Sequence, residues 1–136
     1  MGKRRRAREL ALQLLYELDL RGDADPGEAL DEFWQRQPAP DEVRSFAEAL
    51  VRGTKAHQDK IDEMITRFAE RWDLDRMAVV DRNILRAGIF ELLWAGDVPP
   101  KVAINEALEV ARKFSTEKST RFINGVLDRV RRELCP

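Results

Sequence analysis

Apolar residues recur every three or four positions along almost the whole chain, the spacing of helices that each bury one face. From about Arg4 to Leu20 the stripe is Ala7, Ala11, Leu14, Leu15 and Leu18, widened by Leu12 and Tyr16, and Gly22 with Asp23 ends it. A short helix is predicted next. Asp25 is its N-cap, Pro26 takes the first helical position, Glu28 completes a capping-box-like start, and Leu30, Phe33 and Trp34 form the apolar face. Pro38 and Pro40 then break the chain. Val43, Ala47, Leu50, Thr54, His57, Ile61, Met64 and Phe68 form the longest seam, flanked by Phe46, Val51, Ile65 and Trp72. It predicts one helix from Asp41 to Arg71, about 45 Å long, with a bend or a close approach at Gly53.

Asp73 and Asp75 offer N-caps for the next helix, Met77 to Trp94, which is apolar nearly all round and so the most buried. Gly96 to Pro100 stops it. A further helix carries Val102, Ile104, Ala107, Leu108, Ala111 and Phe114. Ser115 or Thr116 caps the last, which holds Phe122, Ile123, Val126, Leu127 and Val130 and runs to about Leu134. No segment alternates with period two. The fold class is therefore all-α, with six or seven helices. The two short N-terminal helices cannot hide their apolar faces alone, so residues 1–136 read as one domain.

Composition changes this picture little until charge is divided along the chain. The net charge of -1 speaks against a nucleic-acid partner. Yet residues 1–8 hold five cations and no acid, residues 9–100 hold 11 Lys/Arg against 20 Asp/Glu, and residues 101–136 hold 8 against 5. Basic ends around an acidic middle suggest one surface for a polyanion and another for a basic partner. No apolar run is long enough to span a bilayer, and the basic start lacks the apolar core of a secretory signal. The single Cys135 suits a reducing cytoplasm.

Candidate chemistry is sparse. One His and one Cys leave no zinc site, no Gly-rich loop follows a strand, and no pair of carboxylates stands out, so neither a cofactor nor an enzyme is expected. His57, in the long seam, reads as a partly buried, hydrogen-bonded histidine. The sharpest feature is Lys3, Arg4, Arg5, Arg6 and Arg8, a run able to neutralise phosphates and stack on bases, or else a solubilising tail. Arg4 and Arg8 share a face continued by Leu12 and Tyr16. The helical stripe itself reads Tyr16 as a core residue with its hydroxyl at the surface. Lys118, Arg121, Arg129 and Arg132 form a second basic stripe on the last helix, which an ordinary charged face also explains. Asp73, Asp75, Asp81 and Glu91 surround the most buried helix, as caps or as a docking face for a basic protein.

Three motifs carry a resemblance over essentially the whole chain: Arg4-Arg5-Arg6-Ala7-Arg8-Glu9 with Tyr16, the stretch from Asp97 to Ala107, and Phe122-Ile123-Asn124-Gly125-Val126-Leu127-Asp128. Together they resemble the bacterial transcription antitermination factors of the NusB family. The resemblance implies two helical bundles packed roughly at right angles, here about residues 1–72 and 73–136. It implies binding of boxA-type RNA together with NusE, a small-subunit ribosomal protein. Other Nus factors and RNA polymerase would be engaged indirectly, in transcription of ribosomal RNA operons. Carried over by motif, Lys3, Arg4, Arg5, Arg6 and Arg8 grip RNA, Tyr16 lies against it, and Lys118, Arg121 and Phe122 join the same surface. Asp81, with Asp75 and Glu91, faces NusE. Lys118 stands where family members can carry an acid. Asn105, Asn124 and Gly125 read as architectural, the amides bonded across helices and the glycine allowing close packing. Two other readings are a domain of an RNA cytosine methyltransferase, disfavoured because no cofactor-binding domain follows, and a protein-interaction module without RNA. A homodimer that buries the RNA face is a further expectation.

Overall fold

The computed structural model describes residues 2–22, 25–70 and 72–135. Asp23, Arg71 and Pro136, on which parts of the sequence reading fall, lie outside them. Among the described residues there are seven α-helices: α1 (Lys3–Arg21), α2 (Pro26–Arg36), α3 (Asp41–Ala56), α4 (Gln58–Phe68), α5 (Val79–Trp94), α6 (Pro100–Phe114) and α7 (Glu117–Leu134). A short 3-10 turn, Leu74–Arg76, precedes α5. The predicted punctuation holds at three points. Gly22 closes α1 in the left-handed region at φ 73°, Asp25 accepts from the Gly27 amide at 2.9 Å, and Thr116 accepts from the Ser119 amide at 3.0 Å. Asp75 is no cap. It sits exposed on the 3-10 turn, and α5 opens at Ala78 without a side-chain cap.

The expected 41–71 helix is two helices. The apolar period runs straight through, but its two halves serve different cores. Val43, Ala47, Leu50 and Val51 of α3 join α1 and α2 in one cluster. Ile61, Ile65 and Phe68 of α4 join α5, α6 and α7 in the other. The chain turns between them at His57, whose Nδ1 lies 2.9 Å from the Gly53 carbonyl oxygen and whose ring stacks on Trp94 at 4.2 Å between centroids. Gly53 makes the close approach, since a Cβ there would fall 2.1 Å from the Phe90 ring. The cores thus divide between Val51 and Ile61, well before residue 72.

Helix α5 is central, with Leu85 and Ile89 fully buried. It also buries Asp81, Asn83, Arg86 and Glu91, and each of these needs a polar partner there. Helix α1 lies antiparallel to it: Arg8, near the start of α1, meets Glu91 near the end of α5, and Asp19, near the end of α1, meets Arg82 near the start. This pairing fixes where the basic N-terminus can point.

Candidate nucleic-acid interface

The first turn of α1 contains no acid, and Lys3, Arg4, Arg5 and Arg6 crowd it. Cations at a helix N-terminus oppose the helix dipole, so the run weakens its own helix. The structure sorts these cations by depth. Lys3 pairs with Glu42 at 2.7 Å and Arg4 with Asp97 at 3.2 Å, all four side chains more than half exposed. The Arg4 guanidinium also lies over the Phe46 ring, 4.8 Å from its centroid. Arg5 donates to both oxygens of Glu106, at 3.1 and 2.8 Å. Hydrogen bonding by Arg5 holds the Glu106 carboxyl below its usual range, against the opposing pull of burial. Arg6 is exposed and has no ion pair among the described residues.

Arg8 departs from the sequence reading. It is 8% exposed, and its Nε and Nη2 donate to the two oxygens of Glu91 at 2.7 and 2.8 Å, while Nη1 reaches Glu106 at 3.4 Å. A guanidinium so occupied ties α1 to α5 and α6 and leaves little of itself at the surface. Its partner Glu91 is 3% exposed, so it cannot face another protein. Asp81 is also buried, with its carboxylate accepting from Ser115 Oγ at 2.5 Å. Of the three acids expected to face a partner, only Asp75 is exposed.

The outward line on α1 is Arg6, half-buried Gln13, Tyr16 and Leu20, set at helical spacing, rather than Arg4, Arg8, Leu12 and Tyr16. Tyr16 is 37% exposed and belongs to the surface, because its neighbours Leu12, Leu14, Leu15 and Leu18 already fill the buried side. It borders an open groove of about 510 Å³ with Gln13, Phe33, Val80 and Phe114. Lys118 and Arg121 are exposed on α7, and Arg121 pairs with Glu117 at 3.2 Å. Phe122 is half-buried and meets Trp72 edge-on at 6.0 Å. Arg121 and Phe122 line a groove with Phe68, Trp72 and Arg129, and it shares no lining residue with the groove around Arg4 and Arg5. The two basic elements therefore line separate grooves. Asn105, Asn124 and Gly125 are all exposed, which corrects their architectural reading; nothing lies within 4 Å of where a Gly125 Cβ would stand.

A model of the NusB family matches residues 5–132. The chain belongs to the NusB family. The transcription antitermination protein NusB of Myxococcus xanthus is 48% identical over 135 residues, covering 96% of this chain and 95% of that protein. Its counterpart in Anaeromyxobacter sp. (strain Fw109-5) is 50% identical over 135 residues, covering 98% and 93%. Among solved structures, T. maritima NusB superimposes with a TM-score of 0.87 at 38% identity, over 98% of this chain and 93% of that one. A chain from the crystal structure of antitermination factors NusB and NusE in complex with double-stranded RNA gives 0.86 at 31% identity, over 97% and 98%.

For a NusB-family chain, the sequence reading missed the acids that meet the arginines: Glu42, Asp97 and Glu106. Asp97 and Glu106 stood inside a quoted motif, Asp97 in the turn before α6 and Glu106 on α6 itself. Their signal was complementary charge within shared motifs. Trp72, read as flanking a core seam, is 48% exposed.

Proposed function

We propose that this NusB-family chain is a non-enzymatic, cytoplasmic adaptor in transcription antitermination. It binds boxA-type RNA together with NusE and acts with other Nus factors on RNA polymerase transcribing ribosomal RNA. The observation that carries this reading is the exposed tip of α1, where Arg6 stands without an acid among the described residues beside two solvent-exposed ion pairs, Lys3–Glu42 and Arg4–Asp97. Exposed pairs of this kind are worth little, so each cation can exchange its carboxylate for a phosphate, with counterions released from the RNA. Arg8, locked to Glu91, holds the helix that presents them. Gln13 and Tyr16 continue the line, and the exposed phenol ring gives an unpaired base a stacking face. The exposed turn with Asp73 and Asp75 offers acidic charge to a basic protein partner.

Titrating the chain with boxA-type RNA, with and without NusE, tests this. Salt-dependent binding that tightens when NusE is present supports the reading. No binding at low salt in either arm overturns it.

A further inference from the structure

Arg4 is held from two sides by groups of different kinds. On one side is the exposed Asp97, paired at 3.2 Å. On the other is the ring of Phe46 on α3, with the guanidinium 4.8 Å from its centroid. Among the described residues, Arg4 is the cation of the basic run that lines both open grooves at this end of the molecule. One, of about 620 Å³, it shares with Lys3, Glu42 and Phe46; the other, of about 360 Å³, with Arg5, Asp97 and Glu106.

Phe46 sits at the edge of the apolar stripe of α3. Val43, Ala47 and Leu50 are buried and fill the core shared with α1 and α2, while Phe46 packs on that core half-buried. Its ring is therefore free to take cations. The Arg8 guanidinium also lies near it, 5.2 Å from the centroid. The two arginines depend on the ring to different degrees. Arg8 is already fixed by its buried two-pronged bond to Glu91. The other hold on Arg4 is an exposed ion pair, which is worth little and must be given up when a phosphate takes its place. An aromatic face attracts a cation whatever anion pairs with it. A guanidinium seated on a ring has also lost part of its rotamer freedom before any ligand arrives.

We propose that Phe46 is a positioning residue for RNA binding: it keeps the Arg4 guanidinium over its ring while the Asp97 carboxylate is exchanged for a phosphate. This rests on the RNA-binding reading above and adds to it an uncharged residue of α3, outside the motifs that carry the resemblance.

The test uses the full chain and boxA-type RNA, titrated at several salt concentrations. Phe46→Leu keeps an apolar side chain against the core and removes the ring. It should weaken RNA binding about 2- to 10-fold, the effect of having to fix one free arginine on the RNA. The slope of log K against log salt should hold, because every cation is still present, whereas Arg4→Ala should lower it by about 1. In an Arg4→Ala background, Phe46→Leu should change RNA affinity no further. Pentafluorophenylalanine at position 46 keeps the ring but draws electrons from its face, so it should weaken binding as leucine does, while Phe46→Tyr should bind as wild type does. Wild-type affinity in Phe46→Leu overturns the proposal while the function stands. So does an equal loss with and without Arg4, or full binding by the fluorinated ring; either result makes Phe46 a packing residue only. If Phe46→Leu fails to fold, the fluorinated and tyrosine variants decide. No RNA binding by wild type removes both readings.

Discussion

The two ends of α1 are each clipped to α5 by a buried or half-buried charge cluster, and the two clusters have opposite polarity. At the start, α1 supplies the cations, Arg5 and Arg8, and the acids Glu91 and Glu106 come from α5 and α6. At the end, α1 supplies the acid. Asp19 accepts from Arg82 at 2.7 Å, from Asn83 at 2.8 Å and from Arg86 at 3.0 Å, and Arg86 is braced in turn by Asp62 at 2.8 Å. The second cluster closes on itself. The first does not, because the cations continue outward past Arg8 to Arg6, Arg4 and Lys3, where the acids thin out and solvent takes over. One cluster is closed; the other is a buried root with an exposed tip, the tip to which we assign RNA contact. A basic run is therefore not a uniform object, and its members should separate cleanly in stability and in binding.

The largest expected effect is at the root. Arg8→Ala leaves Glu91 buried without its partner, and removing one member of such a pair costs about 3–5 kcal/mol. Chemical denaturation measures this directly, and a loss below about 1 kcal/mol would show that Arg8 does not anchor the helix. Combining Arg5→Ala with Arg8→Ala is accordingly a poor probe of RNA contact, since the fold suffers first. Asp81→Lys is equally poor as a probe of partner docking, because the new cation would enter a buried site beside Ser115.

The closed cluster should show a smaller effect with a pH signature. Burial pushes the Asp19 carboxyl up, but hydrogen bonds from Arg82 and Asn83 and the charge of Arg86 outweigh it and leave the group below its ordinary value. Its stabilisation is fully present above the unfolded value, about 3.9, and is lost as pH falls through the lower folded one. Asp19→Asn should cost about 1–3 kcal/mol at neutral pH and flatten the acid limb of the stability curve. An unchanged acid limb would mean that Asp19 carries no depressed pKa.

How much of this was legible in the sequence depends on range. The helices and caps are local, and period 3.6 with Asp25, Thr116 and Gly22 declares them. The break at His57 is not, because the apolar period continues unbroken through it and only the division into two cores ends α3. Arg6 and Arg8 are chemically identical, and what separates them is an acid 83 residues away. One hint was available: Arg8 lies between Ala7 and Ala11 on the buried side, whereas Arg6 falls on the line of Gln13 and Tyr16. The family motifs drew attention to the start of α1, but did not show which of its residues face outward.

The tip should respond in binding and not in stability. Arg4→Ala combined with Arg6→Ala removes two exposed cations, so melting should hardly move. The slope of log K against log salt for boxA-type RNA should fall by about 2. Arg8→Lys sharpens the contrast. It keeps the charge but loses the two-pronged bond to Glu91, so stability should fall while the salt slope holds. A slope that drops as much for Arg8→Lys as for the tip variant would erase the distinction between root and tip.

The smallest effect runs in the opposite direction. Asp97 occupies Arg4 in the RNA-free chain, and any phosphate must displace it. Asp97→Asn removes that competitor, so RNA affinity should rise. The pair is exposed and thus worth at most about 1 kcal/mol, which limits the gain to about fivefold. The gain should be shared by unrelated RNA, because an acid that competes for a phosphate site restrains all polyanions alike. Paired titrations of boxA-type and scrambled RNA at two salt concentrations measure both quantities. Weaker binding by Asp97→Asn would reverse the assignment: Asp97 would then hold Arg4 in its binding pose, and the root would extend one turn further toward the N-terminus than the exposed pair implies.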